Sequence, residues 1–209
     1  MYSSTDNLAS GNSRARAANA DTLLATPRLY LRKFTENDAP LLHDLDSDPE
    51  VMRFISGGKP TPIWEIREEI LPRILTYYDR SPPQGCWAAH LLGTHDFIGW
   101  FHWRLDKISP DEMELGYRLK RGFWGRGLAT EGARALIQKG FREWQTTKVC
   151  ARALAGNLAS HRVMVKAGLF FEGEFVYSLE VLPGWSEFER RAVKYGVDRN
   201  SYRPAATPE

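Results

Sequence analysis

Between Tyr117 and Phe141 the chain reads YRLKRGFWGRGLATEGARALIQKGF: an extended apolar and basic run, then glycines at 122, 125 and 127, then residues that favour a helix. Each glycine adds conformational entropy that folding must remove. Three of them between a strand and a helix raise the question of what requires so free a backbone there. The apolar stripe Ala129, Ala133, Leu136, Ile137, Phe141 and Trp144 turns one face of the helix to a core. KVCARAL, Lys148 to Leu154, is the next strand. Strand, glycine turn, helix and strand form a crossover unit, which joins parallel neighbours.

The flanking sequence is antiparallel in character. CWAAHLL (Cys86–Leu92), FIGWFHWRL (Phe97–Leu105) and EMELGYRL (Glu112–Leu119) are separated by the short connectors GTHD and DKISPD, and they predict a three-stranded meander. TPRLYLRKF alternates Leu29 and Leu31 with polar neighbours and reads as an earlier strand. Asn37 or Asp38 caps a helix carrying Leu41, Leu42 and Leu45; SDPEVMRFISGG is a short helical turn; a longer helix runs from Pro62 to about Tyr78, bent near Pro72. Asn157 caps a last helix ending at Gly168, and LFFEGEFVYSLEVL and SEFERRAVKYGV read as two closing strands. The class is α+β with one parallel junction in an otherwise antiparallel sheet.

At 209 residues, 43% hydrophobic and 26% charged, the chain suits one globular domain. A net charge of +2 without a basic run gives no nucleic-acid footprint. Cys86 and Cys150 form no CxxC pair, so the expectation is reduced thiols, a cytoplasmic location and no metal. Residues 1–25 read as a flexible tail, too weakly apolar for a signal peptide or membrane span, with a docking helix over Arg14 to Leu24 as the alternative; 26–200 form the domain and 201–209 a C-terminal tail.

A helix start presents unpaired N–H groups and partial positive charge. With Gly125 and Gly127 clearing side chains from the turn, amides from Gly125 to Thr130 can converge on a phosphate. The turn is neither GxxxxGK[ST] nor GxGxxG, since Thr130 stands three residues after Gly127, and a simple reversal of direction would also use a glycine. A second constellation follows the next strand: NLASHRVMVKAGLFFEG, with a polar cap, a short helix and a terminal glycine.

Together with TPRLYLRKFTENDA, DPEVMRFISGG and ELGYRLKRGFWGRGLATEG, in that order, it resembles the GNAT superfamily of acetyl-CoA-dependent N-acetyltransferases, and within it the RimJ/RimL type of ribosomal-protein N-terminal acetyltransferases. The resemblance covers about Thr26 to Val197. It implies a mixed, mostly antiparallel seven-stranded sheet splayed between its fourth and fifth strands, about four helices packed on it, and acetyl-CoA in the opening. It further implies pyrophosphate on the backbone of Gly125, Arg126, Gly127, Leu128, Ala129 and Thr130, pantetheine along Tyr117, Arg118 and Leu119, and a pantetheine contact from Asn157. Trp124 stands where the family has Arg or Gln, which shifts phosphate recognition to the amides and Arg126.

The implied chemistry is direct acetyl transfer to a primary amine, with a protein or peptide α-amine leading, a small-molecule amine such as an amino sugar, polyamine or antibiotic second, and a non-catalytic acyl-CoA-binding module as the alternative from another class. Deprotonating an α-amine at pH 7 costs about 1.4 kcal/mol and a lysine about 4.6 kcal/mol, so an α-amine asks little of a base. Glu114 is the candidate base, against a structural pairing with Arg104 or Arg118; Glu112 and Glu180 are rivals. The family's proton-donating Tyr position is Met164 here, so Ser160 is the candidate to hydrogen-bond the thiolate. His161 reads as surface, His90, His95 and His102 as ordinary strand and turn residues, and Trp100 and Trp103 as lying on opposite faces of one strand. The acceptor pocket is expected between the Pro60–Pro82 region and the final strands, and a homodimer through the late strands stays open.

Overall fold

In the computed structural model, which describes residues 22–81 and 83–203, the strands β1 (Thr22–Ala25), β2 (Leu29–Lys33), β3 (Gly85–Leu91), β4 (Phe97–Leu105), β5 (Met113–Leu119), β6 (Lys148–Leu154), β7 (Phe170–Val176) and β8 (Arg191–Asp198) form one sheet. Its order is β1-β2-β3-β4-β5-β6-β8-β7. Only β5 and β6 run parallel; the other neighbours are antiparallel. There are eight strands rather than the expected seven because Thr22–Ala25, assigned above to the tail, pairs with Tyr30–Arg32. Residues 1–21, including most of the alternative Arg14–Leu24 helix, lie outside the described residues.

The central junction is short on pairing. Met113 registers with Val149 and Glu114 with Cys150, after which β5 continues to Leu119 and β6 to Leu154 without facing each other in register. The extra β1 makes this the gap between the fifth and sixth strands of the described sheet. Each strand keeps its partner on the far side, β4 for β5 and β8 for β6, so the opening leaves a row of main-chain groups on both lips.

Strand alternation divides the core in two. Trp87 and Ala89 of β3 join Phe101, Trp103, Leu115, Leu136 and Ile137 on one side, beneath α5 (Leu128–Glu143) and α6 (Leu158–Lys166). Cys86 and Ala88 point the other way, to Leu42 and Leu45 of α1 (Ala39–Asp46), Val51 of α2 (Pro49–Ser56) and Ile66, Leu71 and Ile74. A strand covered on both faces is buried along its length, as β3 is. Each fully buried large side chain here contributes about 1.5–3 kcal/mol.

The helix expected over 62–78 is interrupted: α3 (Ile63–Glu65), a π-turn over Ile66–Ile70 and α4 (Leu71–Leu75). Leu71 donates its N–H to the Ile66 carbonyl, five residues back, immediately before Pro72, which has no N–H to donate. The closing segment departs further. SEFE is not strand but α7 (Glu187–Arg190), started by Ser186 and Glu189 in a reciprocal capping box. At the other end Tyr202, assigned above to the C-terminal tail, is buried with its ring 5.3 Å from Phe141. Both cysteines are free and buried, and no helix among the described residues is long and apolar enough to cross a membrane.

Candidate functional site

The turn ahead of α5 is left-handed at Gly125 (φ 72°) and Gly127 (φ 77°), a conformation L side chains rarely adopt. A Cβ on Gly125 would meet nothing within 4 Å, so the glycine answers to backbone geometry and leaves open space on the chain. Arg28, at the entry to β2, holds the turn from outside. Its Nη1 donates to the Arg126 carbonyl at 2.8 Å, and its Nε donates to Glu131 Oε2 at 2.5 Å. Glu131 Oε1 accepts in turn from Thr26 Oγ1 at 2.6 Å and the Arg28 amide at 3.0 Å. Trp124 turns its indole back to donate to the Leu119 carbonyl at 2.7 Å, closing the end of β5.

A cavity of about 380 Å3 runs from this turn along the end of β5, between α2 and α6. Tyr117, Arg118, Leu119, Gly125, Gly127, Leu128, Ala129, Thr130, Asn157 and Ser160, all singled out from the sequence, line it. Arg126 does not; its guanidinium lies over the Phe123 ring, 5.5 Å from the centroid. The cations on the wall are instead Arg53 of α2 and Arg162 and Lys166 of α6, beside Arg118. The sequence pointed to the turn but not to these three, which stand far from it in the chain.

Arg118 contributes main chain more than charge. Its Nη1 donates to Asp46 Oδ1 at 2.5 Å, and its guanidinium lies 5.1 Å over the Trp100 ring, which ties β5 to α1. Asn157 caps α6, its Oδ1 accepting from the Ser160 amide at 3.2 Å. Met164, at the position of the family's tyrosine, is a core residue with 1% exposure. A different tyrosine reaches the same helix: the Tyr117 hydroxyl lies 2.9 Å from Ser160 Oγ and donates to the Ser160 carbonyl at 3.2 Å. Burial pushes the Tyr117 phenol up to about 12, so it holds its proton at neutral pH. The resemblance implies a role for Tyr117 through its backbone alone.

Glu114 lies outside this cavity, on the face shared with Gly116 and Arg118. The β4–β5 register sets Trp100 opposite Arg118, His102 opposite Gly116 and Arg104 opposite Glu114. Arg104 grips Glu114 Oε2 with Nε at 2.8 Å and Nη2 at 2.7 Å. His102 lies flat against Gly116, where a Cβ would fall 2.3 Å from its ring, and stacks on Trp100 with centroids 5.5 Å apart. Its Nε2 stands 3.6 Å from Glu114 Oε2, just beyond hydrogen-bond distance. Burial opposes charge on Glu114, but His102 and Arg104 outweigh it and bring the carboxyl down to about 2. Burial lowers His102 below its ordinary value, against the pull of Glu114, so the imidazole is neutral near pH 7.

The rivals are placed otherwise. Glu112, just ahead of β5, is held by Lys194 of β8 and Lys148 of β6 in a charge lattice that also includes Glu172 of β7. Glu180 is exposed on the β7–α7 connection. His161 Nε2 lies 3.1 Å from the Leu154 carbonyl, so it is less free than a surface residue. Trp100 and Trp103 do take opposite faces, Trp103 fully buried and Trp100 partly exposed.

Beyond this cleft lies a second cavity, of about 820 Å3, between the end of α2, the end of β6 and residues 183–191. Arg53 and Phe54 line both. Its wall includes Arg191 of the last strand and, among the described residues, none of 60–81.

The family model described as acetyltransferase (GNAT) domain matches residues 28–169. FsC-acetyl coenzyme A-N(2)-transacetylase of Aspergillus fumigatus is 28% identical over 192 residues, covering 88% of this chain and 79% of its own. Two solved structures share the fold. Aminoglycoside acetyltransferase AAC(6')-Ib in complex with coenzyme A aligns with a TM-score of 0.66 at 21% identity, covering 83% of this chain and 96% of its own. The RimL ribosomal L7/L12 alpha-N-protein acetyltransferase, also with coenzyme A, aligns with a TM-score of 0.69 at 16% identity over 85% and 97%.

Proposed function

The chain belongs to the GNAT acetyltransferase family, and from that premise we propose that it acetylates the α-amine of a protein or peptide by direct attack on acetyl-CoA. As a family member it is an N-acetyltransferase that uses acetyl-CoA, which sets aside the reading as a non-catalytic module. The observation that carries the reading is the cleft itself, which joins the glycine turn to the end of β5, where pairing with β6 has stopped, and to the start of α6.

The residues present suit the cosubstrate. Amides of Gly125 and Gly127 to Thr130, with Arg162 and Lys166, would hold its phosphates; Tyr117 to Leu119 and Asn157 would hold its pantetheine arm. Arg126, named from the sequence as a phosphate contact, keeps a backbone role there through its carbonyl bond to Arg28. When bound, the thioester supplies an activated acetyl group and a thiolate leaving group.

Two proton positions remain for the protein to manage. We assign the leaving side to Ser160 and Tyr117: the serine hydroxyl faces the cleft and the neutral phenol can pass it a proton. The attacking side goes to Glu114 acting with His102. A carboxylate at about 2 is a poor proton acceptor by itself, whereas a neutral buried imidazole beside a fixed negative charge can take a proton and have it stabilised. An acceptor α-amine, already partly neutral at pH 7, needs no stronger base.

A small-molecule amine is the second reading, favoured by the likeness to an aminoglycoside acetyltransferase. Calorimetry with coenzyme A, followed by acceptor-dependent thiol release across peptides, polyamines and aminoglycosides, tests both. Uptake of coenzyme A with release driven by peptides supports the proposal; release driven only by amino sugars or polyamines replaces it with the second reading. No uptake of coenzyme A by folded protein would remove the acetyl-transfer account.

A further inference from the structure

The larger cavity differs from the cleft in its charge. Arg53, Lys59 and Arg191 face it against a single carboxylate, Glu189. That carboxylate is already engaged, Oε2 accepting from the Ser186 amide at 2.9 Å and hydroxyl at 2.7 Å. Arg191 shares an exposed ion pair with Glu174 at 3.0 Å, which solvent weakens. Arg53 and Lys59 have no acidic partner among the described residues, and the Arg53 guanidinium rests over the Phe54 ring at 5.2 Å. Two cations without counter-charge in one concavity make a positive field.

The walls supply a second requirement. Phe54, Trp185 and Phe188 line the same space, and Phe188 is 79% exposed, so the chain itself does not cover it. Aromatic surface left open beside cations suits a ligand with an apolar body and an anionic end. A polyamine or aminoglycoside would bring several positive charges against Arg53, Lys59 and Arg191, an arrangement that selects against it. The cavity meets the cofactor cleft at Arg53 and Phe54, so a molecule seated in it has its amine within reach of that boundary.

We propose that this cavity is the acceptor site and that it selects an amine carrying a carboxylate on the same molecule, of amino-acid or short-peptide size, with its apolar part against Phe54, Trp185 and Phe188. This rests on the acetyl-transfer reading and narrows it. The carboxylate can come from a free C-terminus or from an acidic side chain near the N-terminus, and the two sources are separable.

The test is equilibrium binding to protein saturated with coenzyme A. Its probes are phenylalanyl-glycine and its C-terminal amide, an amidated pentapeptide with Asp at its second and third positions and its Asn counterpart, and spermidine. At least one carboxylate probe is expected to bind about tenfold more tightly than its neutral counterpart, the size of one charge-assisted hydrogen bond. A dipeptide preference assigns the C-terminus and a pentapeptide preference the side chain. The double variant Lys59→Met, Arg191→Gln should shrink the ratio to about threefold or less, as expected once only Arg53 remains. Its coenzyme A affinity should be unchanged, since neither residue lines the cofactor cleft. Spermidine or a neutral probe binding as tightly as the carboxylates, no binding by either carboxylate, or a ratio untouched by the variant overturns the inference while leaving acetyl transfer standing. Failure to take up coenzyme A would instead overturn the reading beneath it.

Discussion

Glu114 shows how one side chain can be both structural and chemical. Arg104 holds it at 2.7 and 2.8 Å, so Glu114→Gln should cost about 2 kcal/mol of stability by leaving that guanidinium half-paired, read from urea midpoints. The same change tests the proton path. Glu114 raises the His102 pKa, so if His102 is the acceptor, Glu114→Gln should lower kcat and move the acidic limb of the kcat–pH profile to lower pH; His102→Gln should abolish that limb. An unmoved limb in Glu114→Gln with normal kcat would remove the pair from catalysis. Stability follows from the same two groups. His102 has a folded pKa below its ordinary 6.5, so the unfolded chain binds the proton more readily, and stability is complete above pH 6.5 and falls as pH drops through that value. Glu114, depressed to about 2, adds a second loss between about pH 4.5 and 2, and only this lower step should vanish in Glu114→Gln. On the leaving side, Ser160→Ala and Tyr117→Phe should each reduce kcat by roughly tenfold with coenzyme A affinity little changed, and the double variant should lose no more than about the worse single, because the two hydroxyls form one path.

Helix α5 lies close against the sheet at two glycines. A Cβ on Gly132 would sit 2.3 Å from the Phe101 ring, and one on Gly140 2.3 Å from the Trp103 ring, both rings buried in the sheet. A mid-helix glycine ordinarily loses about 1 kcal/mol to alanine, yet here Gly132→Ala or Gly140→Ala should destabilise by about 2 kcal/mol or more, because the rings beneath have nowhere to move. A gain in thermal midpoint from either substitution would contradict this packing. At the front of the helix, Arg28→Met should loosen the glycine turn and weaken coenzyme A binding severalfold, through the lost bonds to Arg126 and Glu131 rather than any ligand contact. The sequence made α5 and the meander legible because their signals are local: period-two alternation, a capped apolar stripe, glycines in a row. It misread 177–182 and 186–190 as strand for an equally local reason. Aromatic and β-branched residues there outweighed the Ser186-to-Glu189 spacing, which is itself a helix-start signature.

At the scale of the whole molecule, the crossover was visible but its consequence was not. Which strand lies beside β6 depends on β8 folding back between β6 and β7, and how far β5 and β6 stay paired depends on packing above and below them. The family resemblance supplied the splay; no residue in either strand announces it. The same non-locality hid His102, whose position over Gly116 follows from a cross-strand register fixed at the β4–β5 turn. The splay has a mechanical result. Past Glu114 and Cys150 the two parts of the sheet, β1 to β5 and β6 to β8, are joined through α5, α6 and side chains rather than by strand pairing, so a ligand in the gap acts as the missing rung. Binding to the folded state at one hundred times Kd adds about 2.7 kcal/mol, which for a chain of this size raises Tm by roughly 5–10 °C. Where the gain lies is the sharper question. In an antiparallel pair alternate residues turn their amides to the partner, so every second amide of β5 after Glu114 and of β6 after Cys150 faces the gap. Those amides should exchange quickly in the free protein and slow on adding coenzyme A, while their neighbours, already bonded to β4 and β8, change little. Protection confined to the start of α5 would mean that the turn grips phosphate while the pantetheine arm lies somewhere other than between the strands.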